Sequence, residues 1–385
     1  IPRKERTPTM KLAVLKESEE GENRVAVIPD SIKRLNKNGF EVLIESGAGL
    51  AAGHSDQDYQ AKGATIVATA QELMAQADCV VKVRPPTLDE ATQLKDGSTL
   101  VSILQSVMRH DLVKILMEKK ITSFGLDVIP RTSLAQSMDV LSSMSTIAGY
   151  KSVLLAADTI NKFFPMLMTA AGTVAPAKVL VLGAGVAGLM ACATAKRLGG
   201  VVEAFDVRPE VKEQVHSVGA KFVEVPIKED GSGSGGYAKE MSDEYKKKQG
   251  ELISKHIAKS DVVIPTALIP GRKAPILISE EQVKSMKPGS IIVDLAAEMG
   301  GNCALTQPGK TITVHGVTII GHANLPSTMS FHASQMFSKN VEKFLFHLCD
   351  ENGFKMDMED VITSGSLVTR DGAVIHELTK KLMDA

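Results

Sequence analysis

From Lys11 onward, short apolar runs rich in β-branched residues alternate with stretches whose apolar positions recur every three or four residues. The first pattern reads as strands and the second as amphipathic helices. Predicted strands are Lys11–Leu15, Glu41–Ser46, Cys79–Val83, Thr99–Leu104 and Thr122–Val128, with helices at Ser31–Asn38, Thr69–Ala77 and Asp111–Lys119 between them. A second series follows at Lys178–Leu182, Val201–Phe205, Lys221–Val225, Asp261–Pro265, Ser290–Asp294 and Val317–Gly321. Strands alternating with helices imply parallel sheets covered on both faces. The pattern therefore predicts an α/β protein with two doubly wound, parallel-sheet (Rossmann-like) domains. Two long helical stretches without strands, Ala135–Lys162 and Thr328–Leu348, are expected to join the domains, with a ligand cleft between them. The expected division is 1–10 as a tag or tail, 11–135 plus about 328–385 as the first domain, and 136–327 as the second. Residues 228–250, with Gly-Ser repeats followed by Tyr237 and a Lys-rich stretch, form a long insertion where such connections are normally short. It reads either as a solvated loop or as a mobile flap over a ligand.

A length of 385 residues agrees with two domains. Lys and Arg (44) nearly balance Asp and Glu (45), without a long single-sign block, so nucleic acid is a poor partner. Cys79, Cys192, Cys303 and Cys349 are widely spaced and form no CxxC pair, which argues against zinc and a disulfide framework. His315, His322 and His332 show no metal-ligand spacing, so no metal is expected. No apolar run is read as reaching the ~18 residues of a membrane span, and residues 1–10 lack the apolar core of a signal peptide.

The chemistry concentrates after the strand Lys178–Leu182, at Gly183-Ala184-Gly185-Val186-Ala187-Gly188. A lone GxGxxG is weak evidence. Here it links a strand to a helix, Leu189–Leu198, and the following strand ends at the acidic Asp206. Gly183 suits the tight turn, Gly185 lets the backbone approach a pyrophosphate, and Gly188 lets the helix pack on the strand. The helix N-terminus would face the phosphates with its free N–H groups. Asp206 can accept from a ribose hydroxyl and would repel a 2′-phosphate, favouring NAD(H), although Arg208 could partly offset that charge.

Longer stretches carry a family resemblance. Lys16-Glu17 followed by Glu22-Asn23-Arg24-Val25-Ala26-Val27-Ile28-Pro29, together with the Val181–Gly188 segment, is similar to both alanine dehydrogenases and the NAD(H)-binding domain of proton-translocating nicotinamide nucleotide transhydrogenases. Arg131 to Ser142 resembles the transhydrogenase loop in which an Arg, a Gln and an Asp hold the nicotinamide end. Gly236-Tyr237-Ala238-Lys239-Glu240-Met241 resembles the mobile loop that folds over nucleotide in transhydrogenases and is missing from alanine dehydrogenases. Arg24 and Lys82 match the cations that hold the amino acid in alanine dehydrogenase, while its catalytic His falls on Gln105 and its Asp on Glu298. Gln cannot shuttle the proton that amine oxidation requires. Hydride exchange between two nicotinamides needs none at the reacting carbons.

The resemblance implies that Arg131, Gln136, Asp139 and Ser142 position the nicotinamide. It implies Val186, Asp206, Val207 and Arg208 at the adenosine side, Gly236, Tyr237 and Gln249 at the mobile insert, and Thr266, Ala267 and Leu268 at the end of the next strand. It further implies NADP(H) on a partner domain or subunit, a membrane-spanning proton-translocating domain, a homodimer, and a cytoplasmic, peripheral location at the inner face of the membrane. The expected activity is hydride transfer between NADH and NADP⁺, coupled to proton translocation. Two rival readings stay open: an alanine dehydrogenase-like amino-acid dehydrogenase, and a non-catalytic NAD-sensing protein.

Overall fold

A computed structural model describes residues 10–225, 242–268, 273–350 and 353–384. The chain divides into two compact units, 1–144 with 327–385, and 145–326. The division falls inside the helix Val140–Thr159 rather than ahead of it.

The first unit is built on an eight-stranded sheet. From one edge its strands run Ala373–Val374, Leu367–Arg370, Thr122–Gly125, Thr99–Ser102, Cys79–Val81, Met10–Val14, Phe40–Glu45 and Thr65–Val67. All pairings are parallel except those made by Leu367–Arg370, which is antiparallel to both neighbours. That edge comes from the tail of the chain, so the first unit is closed by residues far away in sequence. Chain direction reverses its progress across the sheet at Met10–Val14, which pairs with Phe40–Glu45 on one side and Cys79–Val81 on the other. The starts of the connecting helices are set locally: Ser55 with Asp58 and Thr87 with Glu90 form capping boxes that satisfy first-turn N–H groups.

The second unit has a seven-stranded sheet in the order Lys221–Phe222, Val201–Phe205, Lys178–Leu182, Val262–Pro265, Ile291–Val293, Val317–Ile320 and Thr311–Val314. Only the last strand is antiparallel. The central strand shows why the sheet is covered twice. Val179 and Val181 pack with Val153, Ala156 and Ala191, whereas Leu180 and Leu182 pack with Ile253, Ile257 and Val283. Alternate side chains leave opposite faces of a strand, so an all-apolar strand needs helices on both.

Two expectations need correction. The insertion 228–250 is not loop throughout, because Asp243–Ile257 is a helix, with Asp243 and Glu244 in its first turn and Lys255 and His256 in its last, each charge favourable to the helix dipole. The segment Val140–Thr159 is also long and apolar enough, by length and composition, to cross a membrane. Its sparse polar residues, Lys151 and Asp158 among them, hid a run that mean hydropathy detects. Val153 and Ala156 are fully buried in the second unit's core, and Gly149 lies against the helix Val186–Arg197. We read it as a packed interior helix.

That last contact is close. A Cβ on Gly149 would stand 2.1 Å from the Ala187 carbonyl oxygen. Gly149→Ala must therefore push two helices apart, at a cost of about 1–3 kcal/mol. Thermal denaturation of the variant is expected to begin several degrees below that of the parent, on the order of 2–8 °C; an unchanged melt would show that the helices separate without strain.

Candidate functional site

In each unit the sheet has a position where strand order reverses, and ligands of open α/β sheets gather at the carboxyl ends of strands there. The two positions are furnished very differently.

In the second unit the reversal lies at Lys178–Leu182, between Val201–Phe205 and Val262–Pro265. Gly183 follows with φ of 102°, a conformation that other residues rarely adopt. A Cβ there would meet Thr266 Oγ1 at 2.5 Å, and one on Gly188 would meet the Gly183 carbonyl oxygen at 1.9 Å. Both glycines are thus required by close packing. Gly185 differs: it is the N-cap of the helix Val186–Arg197, it offers no side-chain cap, and nothing lies within 4 Å of where its Cβ would be. The helix start is consequently an open cradle of backbone N–H groups with a favourable dipole, suited to an anion. Val186, the first helical residue, is 42% exposed at its rim.

Asp206 ends the neighbouring strand and is nearly buried. Its Oδ2 accepts from the Ala184 N–H at 2.7 Å, which ties it to the glycine turn. Arg208 occupies both oxygens, with Nε on Oδ1 at 2.9 Å and Nη2 on Oδ2 at 2.8 Å, while the Arg208 N–H also donates to Oδ1. The carboxylate in turn holds the Arg208 guanidinium above its ordinary range. The partial charge offset expected from sequence is therefore a direct bidentate pair. Val207, half-buried between them, packs toward the core that contains Leu182 and Phe205.

Across the turn, Thr266 Oγ1 donates to the carbonyl oxygens of Leu182 and Gly183 at 3.2 and 3.0 Å. Ala267 is half-buried and Leu268 is 43% exposed. Gly183, Gly185, Gly188, Asp206, Arg208, Thr266 and Ala267 are thus assembled around one turn. Gln249 lies on the helix Asp243–Ile257, where it lines a shallow groove with Ile253, Ser254, Ile276 and Gln282. Gly236 and Tyr237 lie outside the described residues.

In the first unit the loop from Arg131 to Ser142 leads into the helix Val140–Thr159. Its backbone is anchored by buried Ala135 and Met138, and by Asn340 Nδ2 donating to the Ser137 carbonyl at 2.8 Å. Asp139 caps the helix, accepting from the Ser142 N–H at 2.9 Å and from Ser142 Oγ at 2.6 Å. These two candidates are brought together, and the helix-capping role open to Asp139 is realised. Gln136 starts the short 3-10 turn Gln136–Met138 and is exposed, its amide taking no hydrogen bond from the described residues. Arg131 is exposed as well.

The first unit's strand reversal is filled with charge. Glu17 accepts from the N–H groups of Val83 and Arg84 at 2.6 and 3.2 Å, bridging the ends of Met10–Val14 and Cys79–Val81. Buried Arg24 is paired with Glu22, and buried Lys82 with Glu90 at 2.8 Å. Nearby, Gln105 has φ of 51°, and its N–H and that of Leu104 donate to the Asp127 carboxylate. Burial pushes the Asp127 carboxyl up. Glu298 is exposed, on the turn Ala297–Met299. Among the described residues no three His, Cys, Asp or Glu side chains gather into a metal cluster.

Residues 152–377 match the family described as "Alanine dehydrogenase/PNT, C-terminal domain", and residues 13–148 match its N-terminal counterpart. The chain is 50% identical over 376 residues to an NAD(P) transhydrogenase subunit alpha chain of Rhodospirillum rubrum, covering 95% of this chain and 98% of that one. It is 30% identical to an alanine dehydrogenase of Methanococcus maripaludis over 97% of each chain. A solved transhydrogenase from Sinorhizobium meliloti superposes with a TM-score of 0.83 at 40% identity, over 95% of this chain and 99% of the other.

Burial raises the Glu17 carboxyl from 4.5 to about 7, against the pull of Lys82 and of its two backbone donors. The folded protein therefore holds a proton on Glu17 that the unfolded chain releases. This favours folding fully below about pH 4.5, and the gain is lost as pH rises through about 7. At roughly 1.4 kcal/mol per pH unit the effect is on the order of 3 kcal/mol. Between pH 5 and 8, Glu17→Gln is expected to lose less stability than the parent, read as a difference in melting temperature that grows with pH. Parallel curves would contradict this assignment.

Proposed function

The chain belongs to the alanine dehydrogenase/PNT family, with near full-length similarity to NAD(P) transhydrogenase alpha subunits, and we propose that it is the NAD(H)-binding component of a proton-translocating transhydrogenase. The observation that carries this reading is 50% identity over 95% of the chain to a transhydrogenase alpha subunit. In the proposed reaction a hydride passes directly between NADH held here and NADP⁺ held on a partner domain or subunit. The same reading gives the protein a membrane-spanning, proton-translocating partner, a homodimeric state and a peripheral place at the inner face of the cytoplasmic membrane.

The residues of the second unit fit the nucleotide. Gly185 leaves its side open to a pyrophosphate at the uncapped start of Val186–Arg197, where aligned peptide dipoles favour negative charge. Asp206 would accept from the adenosine ribose, with Arg208 and Val207 beside it. Because Arg208 neutralises Asp206, preference for NAD(H) over NADP(H) would rest on the shape of this corner as well as on charge. Gly236, Tyr237 and Gln249 are assigned to the insert that covers the nucleotide.

Arg131, Gln136, Asp139 and Ser142 are assigned to the nicotinamide. Direct hydride transfer demands that two ring carbons approach to roughly 3–3.5 Å in a fixed orientation, so positioning is the principal task of the protein. An exposed amide at Gln136, on a turn whose backbone is pinned by Ala135, Met138 and Asn340, can orient a ring carboxamide. The Asp139–Ser142 cap fixes the start of the helix beside it. Gln105 argues against the amino-acid dehydrogenase reading, because an amide has no proton to exchange at neutral pH.

If positioning is the task, Gln136→Ala is expected to slow hydride transfer by about 10²-fold or more while weakening NADH binding by less than about tenfold. Stopped-flow transfer and fluorescence titration measure the two. Equal losses would make Gln136 a binding residue only. The parent protein is also expected not to oxidise NADH with pyruvate and ammonia; turnover in that assay would restore the amino-acid dehydrogenase reading.

A further inference from the structure

The strand Val262–Pro265 ends at Thr266, Ala267 and Leu268, and this segment is clasped by a side chain that no motif selects. Asn302 is fully buried. Its Oδ1 accepts from the Ala267 N–H at 2.9 Å, and its Nδ2 donates to the Ala267 carbonyl at 2.9 Å. Nδ2 also donates to the Pro275 carbonyl at 2.8 Å. Through its own backbone, Asn302 donates to Asp294 Oδ2 at 2.8 Å and accepts from the N–H groups of Leu277 and Ile278. One residue thus holds chain on both sides of 268–274.

A buried amide satisfied at oxygen and nitrogen fixes the geometry of its partners, since displacing any of them leaves a polar group without water or a bond. What is fixed here lies against the glycine turn. The Ala267 nitrogen is 3.7 Å from where a Cβ on Gly183 would stand, and adjacent Thr266 donates to the Gly183 carbonyl. We propose that Asn302 is a positioning residue for the nucleotide, acting through Ala267 to set the edge that Thr266, Ala267 and Leu268 present to the dinucleotide site. The inference rests on the NAD(H) reading above.

Asn302→Asp separates this role from a merely structural one. It keeps an acceptor for the Ala267 N–H but, when ionised, sets a charge against the Ala267 and Pro275 carbonyls and the buried Asp294 carboxylate. Lys273, the nearby cation, lies over Gly300. Burial and Asp294 push such a carboxyl up, so acidification restores a donor. In NADH fluorescence titrations Asn302→Asp is expected to bind on the order of tenfold more weakly than the parent at pH 8, recovering to within about threefold at pH 6. Asn302→Ala is expected to be weak at both. Thr306→Val removes another bond to Asp294, of 2.5 Å, without touching Ala267; it should lower the melting temperature yet leave affinity within about twofold.

Parent-like binding by Asn302→Asp at pH 8, a loss that does not recover at pH 6, or an equal loss in Thr306→Val overturns the proposal. If Asn302→Asp does not fold at pH 8, titration of protein prepared at pH 6 decides: binding near the parent's supports it and absent binding overturns it. Failure of the parent itself to bind NADH would contradict the nucleotide reading, and this inference would fall with it.

Discussion

The organisation of the second unit depends on how closely the helix Val186–Arg197 approaches the turn at Gly183. With no side chain at Gly188, the helix start can come within contact of the Gly183 carbonyl, and with none at Gly183 the turn can nest against Thr266. A single methyl group at either place would drive the helix off the strand. The same helix is approached from its other side at Gly149, again through a missing side chain. Three glycines thereby let backbone meet backbone, while Gly185 is left bare for a different reason: nothing in the protein fills the space beside it.

The two strand reversals illustrate how one architecture supports different contents. In the second unit the ends of the strands are joined by backbone and by small polar side chains, which leaves donors directed at the opening. In the first unit the equivalent position is crowded by Glu17, Glu22, Arg24, Lys82 and Glu90, each hydrogen-bonded or ion-paired inside the fold. Removing one partner of such a buried pair costs far more than the pair contributes, so these residues constrain one another strongly. They preserve the cationic positions matched to alanine dehydrogenase, whereas Gln105 takes the place of its proton-transfer group.

Much of this was legible in sequence because strand and helix periods differ. Lys178–Leu182 and Val201–Phe205 were bounded correctly, and the parallel α/β class follows from the alternation. The edges were less legible. Thr311–Val314 alternates exposed and half-buried residues, and Leu367–Arg370 pairs with Thr122–Gly125 from across the chain, a contact that no local pattern encodes. At the candidate site the glycines and Asp206 were visible through their spacing. The bidentate hold of Arg208 on Asp206 depends on side-chain conformation, and Asn302 looks like an ordinary polar residue after two glycines until its partners, Ala267 and Pro275, are brought beside it.

Taken with the family to which the chain belongs, these features describe a protein that binds a nucleotide at an open helix start and offers positioning groups in place of acid and base. The most direct test mixes the protein stoichiometrically with an isolated NADP(H)-binding transhydrogenase domain loaded with NADPH, adds a spectrally distinct NAD⁺ analogue, and follows reduction of the analogue. The account predicts hydride transfer that requires both proteins. Binding of both nucleotides without any transfer would contradict it.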